Sequence, residues 1–197
     1  MSPETHRKKS EGGKMKGFHS LLFLFVSMPI FFGCATPARI SQMAISGIEV
    51  GHFQGDTPLK ENISVGSVSG GEGTNPLWTS EIGNEDFRQA LVQSLQAAKL
   101  LNWDEKKAPY TLNTKMIRIE QDIFGLDLEV IAIVQYTLID KTTEKEIFST
   151  VIYSPYTATF SDAFWAFERL KLANEGSARA NITKMIKELY KLEIGLT

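Results

Sequence analysis

The stretch Leu126–Ile139, with the sequence LDLEVIAIVQYTLI, decides the fold because it is the most apolar strand candidate in the chain. Every second residue from Leu128 to Leu138 is hydrophobic, which is the period of a β-strand with one buried face. Ile131 and Ile133 add apolar side chains to the opposite face. Strands that are apolar on both faces lie inside a sheet, so this stretch predicts a central strand that is partly covered on both sides.

The segment before this strand also alternates, but with a change of phase. Tyr110–Met116 follows one alternation, and Ile117 and Ile119 continue it out of phase. One extra residue in a strand shifts the phase in this way. We therefore expect a strand with a β-bulge near Met116.

Three more strands are predicted from shorter alternating runs. Downstream, the charged connection Asp140–Glu146 leads into Ile147–Tyr153, which we expect to end before Pro155 because proline cannot donate to a sheet ladder. Upstream, Ile45–Phe53 and Ile63–Val68 alternate over a few residues and are bounded by turn-forming residues.

Two amphipathic helices are predicted. Asn84 followed by acidic residues is typical of a helix start, and one apolar stripe then runs through Glu85–Leu100. The second helix is predicted over Phe160–Lys191, with Asp162 as its cap. Gly176 costs about 1 kcal/mol relative to Ala in a helix interior, so we expect a bend or a break there.

The predicted element order, β-β-α-β-β-β-α, is that of an α+β fold. We expect a two-layer sandwich, in which a twisted antiparallel sheet of four to five strands carries two helices on one face. Residues 45–192 are predicted to form this single domain.

The N-terminal part has the pattern of a secretory signal. Met15-Lys16 precedes the apolar run Leu21–Phe32, and Gly33-Cys34 follows. A cationic start, a short apolar core and a small residue before a cleavage point predict a signal peptide over residues 15–33. The run is too short for a spanning helix, which needs about 20 apolar residues. A cysteine buried in a core strand is the other alternative.

Because the signal ends on Cys34, the single cysteine of the chain, it resembles the signal of bacterial lipoproteins. The resemblance implies cleavage before Cys34 and fatty acyl chains such as palmitate on its thiol and new amino group. Phe31 departs from the pattern, since such signals usually carry Leu three residues before the cysteine. Ala35 stands where an Asp would retain the protein in the inner membrane, so the resemblance implies an outer-membrane lipoprotein that faces the periplasm.

The rest of the N-terminal region and the charge follow from this division. Residues 1–14 are predicted to be a disordered leader or a mis-assigned start, and residues 34–44 a lipidated tether. Residues 1–33 hold five of the 21 basic and two of the 23 acidic residues, so the 164 residues that follow carry a formal charge of −5. Nucleic-acid-binding proteins need clustered basic surface, and we predict no nucleic-acid partner.

Few side chains that could support catalysis follow the signal. His52 is the single histidine after residue 33, which excludes zinc sites built from several histidines. His52 with Asp56 is the pair available for an acyl-transfer or hydrolase mechanism. Glu168 and Glu175 share a helix face, which is typical of a solvated charged stripe. We predict no catalytic residue, no metal and no cofactor.

Aromatic residues gather around two loops and the start of the last helix: Trp78, Tyr153, Tyr156, Phe160, Phe164, Trp165 and Phe167. Most aromatic side chains contribute to cores. Helical phase places Trp165 apart from Phe164 and Phe167, so part of the set is left for a docking patch or a groove for an acyl chain. The residues predicted to bind a partner are Asn75, Trp78, Tyr156 and Trp165.

Two segments carry a family resemblance: Gly66–Gly71 with Asn75–Thr79, and Arg169–Ser177. Through them, residues 45–192 resemble an uncharacterised family of proteobacterial lipoproteins, some of which are labelled UDP-N-acetylglucosamine acyltransferase. The acyltransferase of that name is a β-helix of hexapeptide repeats, and this sequence contains none. The order of elements is also similar to that of the LPS-assembly lipoprotein and of transporter-accessory lipoproteins, which pair two helices with an antiparallel sheet.

Three functional hypotheses follow. The first is a non-enzymatic lipoprotein, anchored to the membrane through Cys34, that binds an envelope protein complex or a lipid as an assembly or transport accessory. The second is an enzyme that uses His52 and Asp56, as the family label implies. The third is a lipid carrier with an apolar groove between the helices and the sheet.

Overall fold

The computed structural model describes residues 36–45, 49, 55–72, 81–122 and 124–194, which all belong to one compact unit. Its helices and strands follow in the order α1 Ile40–Met43, β1 Ile63–Ser69, α2 Asn84–Ala97, β2 Tyr110–Gln121, β3 Leu128–Asp140, β4 Lys145–Ala158 and α3 Ala166–Tyr190. The α+β class predicted from the sequence is confirmed.

The four strands form one twisted sheet in the order β1-β2-β3-β4. β2 and β4 pair antiparallel with β3, but β1 runs parallel to β2. The prediction of a wholly antiparallel sheet is therefore wrong. The chain passes from β1 to β2 through α2, and a helical crossover returns the chain to the end of the sheet from which it started, so the two strands run parallel.

β3 is the central strand of the sheet, as predicted. Val130, Val134 and Tyr136 on one of its faces are fully buried, whereas Ile131 and Ile133 on the other face are partly exposed. One apolar core joins the buried face to the inner sides of both long helices. The two-layer arrangement, with both helices on one face, is confirmed.

The pairing of β2 with β3 contains the expected bulge. The register shifts between Met116 and Arg118, and Ile117 has no partner on β3. The extra residue explains the change of phase in the sequence.

β4 extends past the position where the sequence predicts its end. Pro155 pairs with Ile131 inside the strand, which continues to Ala158. β4 lies at the edge of the sheet, where a proline is tolerated because its missing N–H is not needed by a further strand.

The strand predicted over Ile45–Phe53 is not found in the part of that range that the structure describes. Ile45 belongs to no strand and Glu49 is helical, while the other residues of the range lie outside the described set. The N–H of Ile45 donates instead to Oγ of Ser94 at 3.1 Å, so this residue is bound to α2.

The helix α2 begins near its predicted start, but Asn84 does not cap it. The N-cap residue is Gly83, which has no side chain to offer. Oδ1 of Asn84 accepts a hydrogen bond from the N–H of Gly71 at 2.7 Å. Asn84 therefore binds the loop after β1 to the first turn of α2.

The helix α3 starts later than predicted, at Ala166, and continues through Gly176 without a break. The expected bend is absent because the glycine serves close packing. A Cβ at Gly176 would overlap the ring of Tyr156 on β4. The missing side chain lets the helix pack directly on the edge strand.

Replacing Gly176 by Ala tests this contact. Overpacking costs about 1–3 kcal/mol of unfolding free energy, which exceeds the gain of about 1 kcal/mol from Ala in a helix. In urea denaturation we expect Gly176→Ala to destabilise the wild-type chain and to stabilise a Tyr156→Ala background, where the ring is gone. A stabilising Gly176→Ala in the wild-type chain would contradict the contact.

Candidate functional site

The connection between β4 and α3, residues 159–165, carries exposed aromatic side chains, and we call it the aromatic loop. Phe160, Phe164 and Trp165 expose 45%, 68% and 60% of their surface. Their rings contact one another in series, with centroids 5.6 Å apart for Phe160–Phe164 and 5.2 Å for Phe164–Trp165, and Trp165 stacks on Phe167 at 6.2 Å. Aromatic pairs attract each other at these distances, so the loop presents one continuous apolar surface.

Arg169, near the start of α3, holds the aromatic loop in place. Its Nη1 donates to the carbonyl oxygens of Ala163 and Phe164 at 2.8 and 2.7 Å, and its guanidinium lies 5.3 Å from the ring centroid of Phe160. Arg169 is 4% exposed, and no ion pair within the described residues includes it. A cation at a helix N-terminus opposes the helix dipole, so the two carbonyls and the ring face compensate its charge.

Two aspartates fix the backbone of the loop. Asp162 accepts hydrogen bonds from the N–H and the hydroxyl of Thr159 at 2.7 and 2.8 Å. It therefore closes a turn within the loop, and its predicted role as the cap of α3 is wrong. Asp127, in the β2–β3 turn, accepts from the N–H of Phe160 at 2.9 Å. The bonds from Thr159 lower the pKa of Asp162 because they favour its ionised form.

The β2–β3 turn extends the apolar surface. Its Phe124 and Leu126 expose 82% and 72% of their surface, and the bond from Phe160 to Asp127 places the turn beside the aromatic loop. We call the exposed apolar side chains of these two connections the apolar end of the domain: Phe124, Leu126, Phe160, Phe164 and Trp165.

The first described segment, residues 36–45, packs along α3, and we call it the N-terminal strap. Its Arg39 donates three hydrogen bonds to the carboxylate of Glu175, from the backbone N–H at 2.8 Å and from Nε and Nη2 at 2.9 Å. These bonds raise the pKa of Arg39 because they favour the charged guanidinium. Glu175 is 1% exposed, so the prediction that it belongs to a solvated stripe is wrong. Glu168 is partly exposed and pairs with Lys171 at 2.7 Å.

Two of the four residues predicted to bind a partner lie in the described part of the chain. Trp165 is exposed in the aromatic loop, and Tyr156 is 44% exposed at the edge of the sheet, against α3. Ring contacts among the described residues do not join the two. Asn75 and Trp78 lie outside the described residues.

The residues predicted to carry chemistry lie mainly outside the described part of the chain. Cys34 and His52 lie outside the described residues, so lipidation and the His52–Asp56 pair stay predictions. Within the ranges that the structure describes, no three His, Cys, Asp or Glu side chains come together in a way that could hold a metal ion. No helix in the same ranges is long and apolar enough to cross a membrane.

Clefts on the described surface combine charged and apolar side chains in their walls. One of about 550 Å³ lies beyond the C-terminal end of α2 and is lined by Glu61, Gln96, Lys99, Leu101, Asn102, Trp103, Asp104 and Lys107. Another of about 240 Å³ is lined by Gly70, Glu72, Glu81, Ile117, Arg118, Ile119 and Gln121. Neither is the apolar groove between helices and sheet that the lipid-carrier hypothesis requires.

Sequence reasoning missed Phe124 and Leu126 as surface residues. Their position on both sides of Gly125 was the signal that the sequence contained. In the structure Gly125 has a φ of +133°. Such a φ favours glycine and a tight turn, and large apolar side chains at a turn have little to pack against.

No protein-family model matches the chain, and no curated protein sequence matches it. Among solved structures, a Caulobacter crescentus protein provisionally named a lipoprotein is similar at 19% identity over 74% of this chain and 94% of that one, with a TM-score of 0.48. A PelC variant from Paraburkholderia phytofirmans, solved as a dodecamer, is similar at 18% identity over 66% and 88%, with a TM-score of 0.46. A DUF330-family protein from Xanthomonas campestris is similar at 11% identity over 63% and 92%, with a TM-score of 0.43. With TM-scores under 0.5, these likenesses establish no family, activity or partner for the chain.

The bonds within the aromatic loop predict how Asp162 titrates. Its folded pKa lies below the ordinary value of 3.8, so the stabilisation is present above that value and is lost as the pH falls through the folded pKa. Thr159→Ala removes the hydroxyl donor but keeps the N–H donor, and we expect the pKa of Asp162 to rise partway towards its ordinary value. An NMR titration of the carboxyl carbon measures this, with Thr143→Ala as the control that removes a hydroxyl at the other end of the sheet and leaves both donors in place. A pKa that is the same in Thr159→Ala and in wild type would refute the assignment.

The buried carboxylate of Glu175 predicts an asymmetry between two variants. Arg39→Ala leaves the carboxylate buried with only the backbone N–H as donor, whereas Glu175→Gln leaves a half-exposed guanidinium that water can reach. Hydrogen bonds to a charged group contribute about 1.5–3 kcal/mol, so we expect Arg39→Ala to lose about 2–3 kcal/mol. We expect Glu175→Gln to lose about 1 kcal/mol, the value of an ordinary hydrogen bond.

Urea denaturation of both variants beside wild type measures the two losses. Equal losses, or a larger loss in Glu175→Gln than in Arg39→Ala, would mean that the carboxylate of Glu175 is solvated.

Proposed function

We propose that the chain is an outer-membrane lipoprotein of the bacterial envelope, held by acyl chains on Cys34, with its domain in the periplasm. The observation that supports this most strongly is the cationic start, the apolar run Leu21–Phe32 and the Gly33-Cys34 end of the signal. Each acyl methylene buried in a bilayer contributes about 0.8 kcal/mol, and two chains hold a protein stably. The domain is then tethered to the membrane and not embedded in it.

The contact between the N-terminal strap and α3 also supports this proposal. Oγ1 of Thr36 accepts a hydrogen bond from Nζ of Lys171 at 3.2 Å. The segment predicted as a tether is thus packed on α3 from Thr36 onward. An anchor on Cys34 would act on the folded domain directly, through two residues rather than through a long linker.

The role that fits such a domain is binding without catalysis. We infer an assembly or transport accessory that recognises an envelope protein complex or a lipid. The apolar end supports a contact surface, because soluble proteins rarely leave a contiguous apolar patch of this kind without a partner. Trp165 belongs to it, and Tyr156, Asn75 and Trp78 stay candidates for a second contact.

Labelling with radioactive palmitate in a Gram-negative host tests the anchor. We expect label in the wild-type chain, recovery of that chain in the outer-membrane fraction, and no label in Cys34→Ala. Thr36→Ala is the matched control, because it changes a neighbouring residue and leaves the thiol in place. Label that persists in Cys34→Ala, or a wild-type chain without label, would overturn the proposal.

A further inference from the structure

The contacts of the N-terminal strap give it a direction along α3. Successive positions of the strap bind successive turns of the helix: Thr36 with Lys171, Arg39 with Glu175, and Gln42 with Arg179. The strap and the helix therefore run in the same direction. The first described residue of the strap, Thr36, therefore lies nearest to the N-terminal end of α3, which is the end that carries the aromatic loop.

The length of the chain limits how far the anchor can lie from this end. Cys34 precedes Thr36 by two residues, which span at most about 7 Å. Lys171 follows Trp165 by six residues, a rise of about 9 Å along a helix. The point where acyl chains would be attached is therefore close to the apolar end.

The two ends of the sheet carry different kinds of side chain. β3 starts at the apolar end and runs for 13 residues, a length of about 40 Å. At its other end, the hairpin of residues 141–144 joins β3 to β4. It is exposed and includes the charged residues Lys141 and Glu144. The exposed Trp103 lies near that hairpin, because Nζ of Lys141 donates to the carbonyl oxygen of Glu105 in the same loop as Trp103.

The chemistry of the apolar end fits a lipid headgroup layer. Trp165 and three Phe rings provide the amphipathic and apolar groups that favour a membrane–water interface. Asp127 and Asp162 lie in the same two connections and bond to their backbone. Arg169, the cation that bonds to the aromatic loop, is itself buried. We therefore expect this surface to contact the apolar part of the membrane interface and not to attract anionic lipids.

We propose that the apolar end inserts into the bilayer that holds the acyl chains of Cys34, so that the aromatic loop and the β2–β3 turn face the lipid and the hairpin of residues 141–144 faces away. This inference rests on the proposed lipid anchor. The acyl chains on Cys34 provide the affinity for the membrane, and the apolar end determines how the domain is oriented relative to the bilayer. The cleft beside Trp103 is then directed towards the periplasm, where a partner protein can reach it.

Tryptophan quenching in vesicles tests this orientation with an internal control, because the chain has three tryptophans, Trp78, Trp103 and Trp165. The acylated full-length lipoprotein is prepared with Trp165 alone (Trp78→Phe and Trp103→Phe) or with Trp103 alone (Trp78→Phe and Trp165→Phe). Both are reconstituted into phosphatidylcholine vesicles that carry bromine on the acyl chains near the headgroup. We expect Trp165 emission to fall to about half or less and Trp103 emission to stay unchanged.

Other outcomes would overturn the orientation without touching the anchor. If both chains sediment with the vesicles but Trp165 is not quenched, the anchor holds and the apolar end serves another contact. Emission of Trp165 that shifts to the blue as protein concentration rises would assign that contact to a second copy of the chain. Equal quenching of both tryptophans would mean that the domain has no fixed orientation. Failure of both chains to sediment would count against the lipid anchor itself.

A charge placed in the apolar end provides a second test that does not disturb the core. Phe124→Glu changes an exposed side chain, so the domain should fold, and we expect the quenching of Trp165 to be lost. Thr143→Glu adds the same charge at the opposite hairpin and should leave the quenching intact. Replacing part of the phosphatidylcholine by phosphatidylglycerol should not increase the quenching, and an increase would contradict an apolar contact.

Discussion

The structure depends on the way α3 is held against the main chain of the sheet. Oγ of Ser177 accepts from the N–H of Ala132 at 2.8 Å and donates to the carbonyl oxygen of Ser154 at 2.8 Å. One turn later, Nδ2 of Asn181 donates to the carbonyl oxygens of Ala132 and Ile152 at 3.0 and 2.9 Å. Buried polar groups are costly unless they are satisfied, so these bonds fix both the height and the register of the helix on the two strands.

Because one side of α3 is fixed on the sheet, its other contacts become specific. The strap bonds to the helix through Arg39 and Glu175, and Arg169 secures the loop that enters the helix. A helix that is bonded on several sides buries more polar residues than an ordinary surface helix. This accounts for the burial of Arg169, Asn174, Glu175 and Asn181, and it connects the anchor segment, the sheet and the apolar end through a single element.

The sequence predicts the parts of the fold that local patterns specify. Alternation identifies β2, β3 and the bulge at Met116, and an apolar stripe identifies α2. Local patterns do not predict features that depend on distant segments. The carboxylate of Glu175, for example, is bonded by Arg39, which lies 136 positions earlier in the sequence. The same reason applies to Pro155, whose place in a strand depends on β4 being at the edge. For the candidate site, the aromatic composition was visible, but exposure depended on α3 starting at Ala166 and not at Phe160, which no local signal distinguished.

The proposed attachment of the chain to a membrane is at Cys34, two residues before the N-terminal strap. Mass spectrometry of the N-terminal peptide of the mature protein, purified from membranes, measures this directly. We expect a peptide that begins at Cys34 and carries acyl chains on both its thiol and its amino group. A peptide that continues upstream of residue 34, or one that begins elsewhere with an unmodified Cys34, would contradict it.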